Sequence, residues 1–239
     1  MSVKIDVSSQ WYPYPKVSES YFDLSGSVNL PRKTCDYLID APQKDYTPPD
    51  NNAYSRWRLW KYLFYDGEKP LANTLPTIEQ KMSVVFDPEN PTEPPTDKGY
   101  RLIPQIYVAQ AQKQAQTRIM CYMGRTIPRA DNFGVSIAVI FDIYTHYTYE
   151  LNTKTDAYSR VFAMEQSLIE ALHGVNMDGA GSFSFSKVSH PDCGSRVIYD
   201  DDMNIGRQVI ISLEIPTSTA AVVGETDNMP KIGKGIYLV

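Results

Sequence analysis

The chain has little of what usually announces chemistry. Its 239 residues include only three histidines and three cysteines. Cys35, Cys121 and Cys193 are odd in number and widely spaced, so they imply no disulfide framework, and synthesis in a reducing cytoplasm is expected. No apolar run is long enough to span a bilayer, and the start, MSVKIDVSSQWYPYP, lacks a signal-peptide pattern, so no membrane partner is expected. There is no GxSxG for a nucleophile elbow and no GxxxxGKS or GxxxxGKT for a phosphate loop. HPDC offers one ligand pair, His190 and Cys193, where a structural zinc site normally shows two. Asp200, Asp201, Asp202 and Asn204 start like a calcium loop, but Ile205 stands where glycine is needed and Ile211 where glutamate is needed. The expectation is therefore no metal, no cofactor and no enzyme. One candidate catalytic row survives, Asp142, His146 and Glu150 on the even face of a strand, where a solvated face is the plainer reading.

Acidic residues are missing from one long stretch. Between Lys98 and Ala130 the only charges are Lys98, Arg101, Lys113, Arg118, Arg125 and Arg129. These could face phosphates. They could equally pair with the acidic remainder of an identical neighbour, and a formal net charge of −5 favours that.

Tyrosine and proline are abundant, with 17 of each. Tyrosine carries a large apolar body and a polar tip at low entropic cost, and proline-rich chain favours extended conformations. Residues 1–50 combine six prolines with Trp11, Tyr12, Tyr14, Tyr21, Phe22 and Tyr37, and no helical stripe persists. They read as an arm wrapped on a surface, either a neighbour's or the chain's own. Deleting them is expected to leave the core folded and to weaken assembly. Residues 51–98 read as two short helices, Asn51 to Tyr65 and about Ile78 to Val85, then a proline-rich loop. Thr77 and Gln80 have capping-box spacing, and Trp57 and Trp60 point to core.

The core reading falls on residues 99–216. Tyr100 to Tyr107 and Arg118 to Met123 read as strands. Between them AQAQKQAQ alternates with period two, yet is built of good helix formers; a flexible extension of a hairpin joining the two strands is favoured. Val135 to Leu151 then alternates with period two, with Val135, Ile137, Val139, Phe141 and Ile143 on one face. Such a strand would reach on the order of 55 Å, far beyond a usual one, so it must bend or leave its sheet. An apolar stripe from Ala157 to Leu172 predicts a helix capped by Thr155 or Asp156. SFSFSKV and RQVIISLEI predict two more strands, the second burying Val209, Ile211, Leu213 and Ile215. Residues 217–239 read as an extended C-terminal arm. The fold class is α+β: a mainly antiparallel sheet with one main helix packed on it, long hairpin extensions and extended N- and C-terminal arms.

The order of RIMCYMGRTIP, VSIAVIFDIYTHYTYEL, AYSRVFAMEQSLIEALHG, GAGSFSFSKV and NIGRQVIISLEIP, over about Arg118 to Pro216, resembles the tail terminator and head-to-tail joining (neck ring) proteins of tailed bacteriophages. The last three pieces look especially like ring proteins of short-tailed phages, including the crAss-like group. The resemblance implies a structural virion protein without catalysis, forming a six- or twelve-fold homo-oligomeric ring around the DNA channel in the neck or tail. Its partners would be adjacent neck, portal or tail proteins, with non-specific DNA contact in the channel. The oligomer interface would then use Trp11, Tyr12 and Tyr14 of the arm, Gln110, Gln112 and Gln114 of the extension, and His146, Tyr147 and Tyr149 at the outer end of the long strand. The alternative is a carbohydrate- or host-surface-binding module of a virion, since Tyr and Trp suit sugar stacking.

Overall fold

The computed structural model describes residues 29–40, 51–87, 99–105, 117–129, 134–152, 159–177, 181–201 and 203–216. Strand β3 (Gly134–His146) is the centre of a seven-stranded sheet. It pairs antiparallel along one side with β2 (Arg118–Pro128) and along the other with β7 (Asn204–Pro216), over its whole length. Beyond β7 the edge is shared: β6 (Gly194–Asp201) covers its first half, and β5 (Gly181–Ser184), itself paired to β4 (Asn176–Met177), covers its second. At the far side the two-residue β1 (Leu102–Ile103) runs parallel to β2. The fold is α+β, as the sequence predicts.

Period-two alternation puts one row of each long strand on a common face. Ile137, Val139, Phe141 and Ile143 of β3 and Val209, Ile211 and Leu213 of β7 are all fully buried there. Each such side chain contributes roughly 1.5–3 kcal/mol as an upper bound. Helix α5 (Arg160–Leu172) supplies the opposing stripe, Val161, Met164, Leu168, Ala171 and Leu172. Helix α2 (Asn51–Phe64) packs against α5, and α1 (Leu30–Ile39) against β2. Trp60 is buried in this core, whereas Trp57 is half-buried beneath the Lys61 ammonium, 3.9 Å from its ring centroid. The short α3 (Ile78–Met82) carries the expected capping box, with Thr77 and Gln80 each bonding the other's backbone N–H.

Several expectations are corrected. The stretch before residue 51 does contain a helix, α1, whose Leu30, Cys35 and Leu38 are core residues; Pro31 is harmless in the first turn, where its missing N–H has no intrahelical partner. The segments at 100–107 and 118–123 are not two arms of a hairpin, because β1 and β2 are parallel. Strand β2 does not stop at Met123: a register shift between Met123 and Thr126 carries it past Gly124 to Pro128. Strand β3 does not run to Leu151. Its last pair is His146 with Asn204, the first residue of β7, and with no partner further out the chain turns into α4 (Tyr147–Asn152), fixed by Tyr147 N–H donating to the Met203 carbonyl. Helix α5 starts at Arg160, because the Ser159 hydroxyl accepts from the Phe162 N–H. Strand β6 was not anticipated.

The helix C-termini are closed by side chains from elsewhere in the chain. Helices end with carbonyls that lack intrahelical donors, and cations suit that end of the dipole. On α1 the carbonyls of Tyr37 and Asp40 accept from Arg56, that of Leu38 from the Trp60 indole at 2.6 Å, and that of Ile39 from Lys81. On α2 the buried Arg160 donates to the Tyr65 and Gly67 carbonyls at 2.6 Å each, while Arg101 reaches Leu63 and grips the Asp66 carboxylate through two 2.7 Å bonds. On α5 the Ala171 carbonyl accepts from Tyr37 and Asn52.

Candidate assembly surface

The basic stretch expected at 98–130 does not form one face. Arg101 and Arg118 are about 1 % exposed; the first is held by Asp66, and the second lies 5.1 Å over the Tyr144 ring. Arg129 pairs with Glu214 on β7. Burial beside a carboxylate or an aromatic face removes the Arg101 and Arg118 guanidinium groups from solvent-side phosphates, whereas Arg129 stays exposed beside its carboxylate partner. Arg125 remains exposed, and Lys98 and Lys113 lie outside the described residues.

The row Asp142, His146, Glu150 is also dispersed. Asp142 lies on the sheet face away from α5, where its carboxylate accepts from the Tyr122 hydroxyl and the Gln208 amide, both at 2.8 Å; Gln208 in turn accepts from Arg196. Burial, then the Asp142 carboxylate, pushes the Tyr122 phenol well above its usual range, so it stays a donor. His146 sits at the strand end with Nδ1 facing the Thr148 N–H at 3.4 Å. Glu150 accepts from the Val161 N–H and so helps start α5. The three side chains converge on no common point.

HPDC forms part of a strap. His190 Nε2 lies 3.1 Å from the Arg125 carbonyl, so the β5–β6 connection crosses β7 and β3 to reach β2. It passes where the crossed positions are small: Gly124, Ala138, Ser212 and Ser184 neighbour one another across the sheet. Cys193 donates weakly to the Ser184 carbonyl. Among the described residues no group of three potential metal ligands gathers.

Besides the two-residue β4, which pairs only with β5, two longer strand stretches have one side without a partner strand among the described residues. Strand β6 pairs only with β7, and the distal part of β2, Tyr122 to Pro128, pairs only with β3 because β1 reaches no further than Met120. These open edges differ in sequence and lie on opposite sides of the sheet. Around β6 apolar side chains are exposed: Val197 at 50 %, Met203 at 47 % and Phe162 at 47 %. Val197 and Phe162 form a neighbourhood, since Val197 is paired with Arg207, whose guanidinium lies 5.6 Å over the Phe162 ring and pairs with Glu165. Exposed Tyr147 adjoins Met203 through the backbone bond already described.

His146, Tyr147 and Tyr149 are thus brought together, with His146 centroids 4.8 and 6.0 Å from the two tyrosine rings, although on a strand end and a helix. Trp11, Tyr12, Tyr14, Gln110, Gln112 and Gln114 lie outside the described residues. Phe162, Val197 and Met203 were missed. The available signal was the β-prone RVIY between Gly194 and the acidic turn.

An α+β sheet covered on one face by three helices defines a broad class. Within it, the YomW family matches residues 58–210, and the chain belongs to that family. YomW is a phage-related family. No curated protein and no solved structure matches the chain.

Proposed function

We propose that the chain is a structural protein of the phage particle that forms a homo-oligomeric ring in the head-to-tail connector or tail. The observation that carries this reading is the pair of unlike open edges, β6 and distal β2, on opposite sides of one sheet. An exposed edge is a template for another strand. Two different edges joined head to tail give a heterologous contact, which repeats until the rotation closes. The apolar side chains beside β6 supply buried area for that contact, and the register shift between Tyr199 and Asp201 would end the pairing before the acidic turn. In this reading the protein does no catalysis, and the phage-related family supports a place in the virion made in the host cytoplasm.

The test is mass in solution by native mass spectrometry across protein concentration and salt, followed by imaging with purified neck components. A closed ring of six or twelve copies supports the proposal. A chain that stays monomeric alone and with those components, and that binds glycans instead, would replace it with the host-surface module.

A further inference from the structure

A groove of about 250 Å³ opens between α1 and α3. Its floor is apolar: Ile39, Ile78, Met82 and Val85. Ile78 and Met82, one helical turn apart, are 37 % and 56 % exposed. Its rim is acidic. Among the described lining residues Asp36, Asp40 and Asp87 face one cation, Arg32, which lies 3.1 Å from Asp36 and 3.6 Å from Asp87. Lys81 and Arg56 lie behind the groove, directed at the carbonyls that end α1. An apolar floor with an acidic rim selects a segment that alternates aliphatic and basic side chains.

We propose that the occupant is this chain's own C-terminal segment, Lys231–Val239. Its sequence, KIGKGIYLV, has Lys231 and Lys234 among Ile232, Ile236, Tyr237 and Leu238, with no acidic side chain after Asp227. Of the other long stretches outside the described residues, 1–28, 41–50 and 88–98 each hold more acidic than basic side chains, and 106–116 offers one lysine among glutamines. The segment can reach. Arg207, Ile143, Ile119, Leu102 and Val85 lie in register across the sheet, so the groove wall is four strand spacings and nine residues from Pro216. That is roughly 35 Å, and the fourteen intervening residues, 217–230, can extend about 46–50 Å. Docking would draw the chain end from the Pro216 end of the sheet to its opposite corner. The inference does not depend on ring formation.

The experiment uses the full chain with a photo-crosslinking amino acid at Ile236, prepared as a mixture of isotopically light and heavy protein. Crosslinks to α1 or α3 that stay within one isotope class are expected. Lys231→Glu with Lys234→Glu should cut their yield roughly tenfold, since each reversed charge then faces a carboxylate rim. Met82→Glu, on an exposed position that should fold normally, should do the same while leaving circular dichroism unchanged. Crosslinks to another surface, crosslinks that pair light with heavy chains, or yields insensitive to all three substitutions would overturn the assignment.

Discussion

In the helix layer Arg101, Arg160 and Lys81 are buried, while around the β6–β7 hairpin Val197, Met203 and Phe162 stand about half exposed. The first region hides charge and the second shows apolar surface, the reverse of the simplest expectation for a folded chain. The helix-layer cations have carbonyls to bond, because α1 and α2 end inside the molecule. Removing one would strand those carbonyls, so this region bears on whether the chain folds. The hairpin's apolar side chains stand out to solvent instead, and in the proposed ring they are what the folded chain would bring to a neighbour.

Four perturbations would break or sharpen this contrast. The largest effect is expected from deleting residues 1–50. That cut removes α1 with Leu30, Cys35 and Leu38, so cooperative thermal unfolding should vanish, whereas an arm lying outside the core would leave it intact. Next comes Arg160→Met. It takes donors from the Tyr62, Tyr65 and Gly67 carbonyls, and denaturant titration should show a loss of about 3 kcal/mol or more.

A smaller effect concerns pH. Burial, then the nearby Arg56, lowers Lys81 from 10.5 to about 8, with Asp40 opposing. Between those values the unfolded chain holds the proton that the folded chain has released, so this group adds stability as pH rises from about 8 toward 10.5. Below about 8 both states are charged and the full burial penalty applies. Lys81→Met should flatten that rise in a stability–pH profile. The smallest effect on folding is expected from Val197→Asp with Met203→Asp, within roughly 0.5 kcal/mol for each exposed site. The same pair should nevertheless lower the assembled mass measured by light scattering. If it left assembly unchanged, the exposed side chains beside β6 would have no part in the contact.

Much of the sheet was legible because its signal is local. Val209, Ile211, Leu213 and Ile215 alternate without interruption, and all four are buried. The stripe on α5 and the Thr77–Gln80 box were equally plain. What escaped depends on partners far along the chain. Alternation continues through Tyr147 and Tyr149, but a strand needs a neighbour, and β7 offers none beyond Asn204. The arginines of residues 98–130 looked like a surface because sequence does not show that Asp66 stands beside Arg101. Helix α1 was hidden by prolines on both sides, and its apolar positions make sense only against β2. Of the expected interface residues, His146, Tyr147 and Tyr149 do come together, but the open edges could not be read, since an unpaired side is a property of the whole sheet.

The closures on the helix ends also set an order in time. Helix α1 leaves the ribosome early, and donors for its last carbonyls follow soon, at Arg56, Trp60 and Lys81. The Tyr37 hydroxyl, though, waits for the carbonyl of Ala171, and the end of α2 waits for Arg160. At roughly 5–20 residues per second that delay is on the order of ten seconds. Through it the early helices are held by short-range contacts alone, and contacts this distant in sequence form slowly even once the whole chain is present. A nascent chain of this kind stays vulnerable to proteases until its last third is made, then closes nearly all at once.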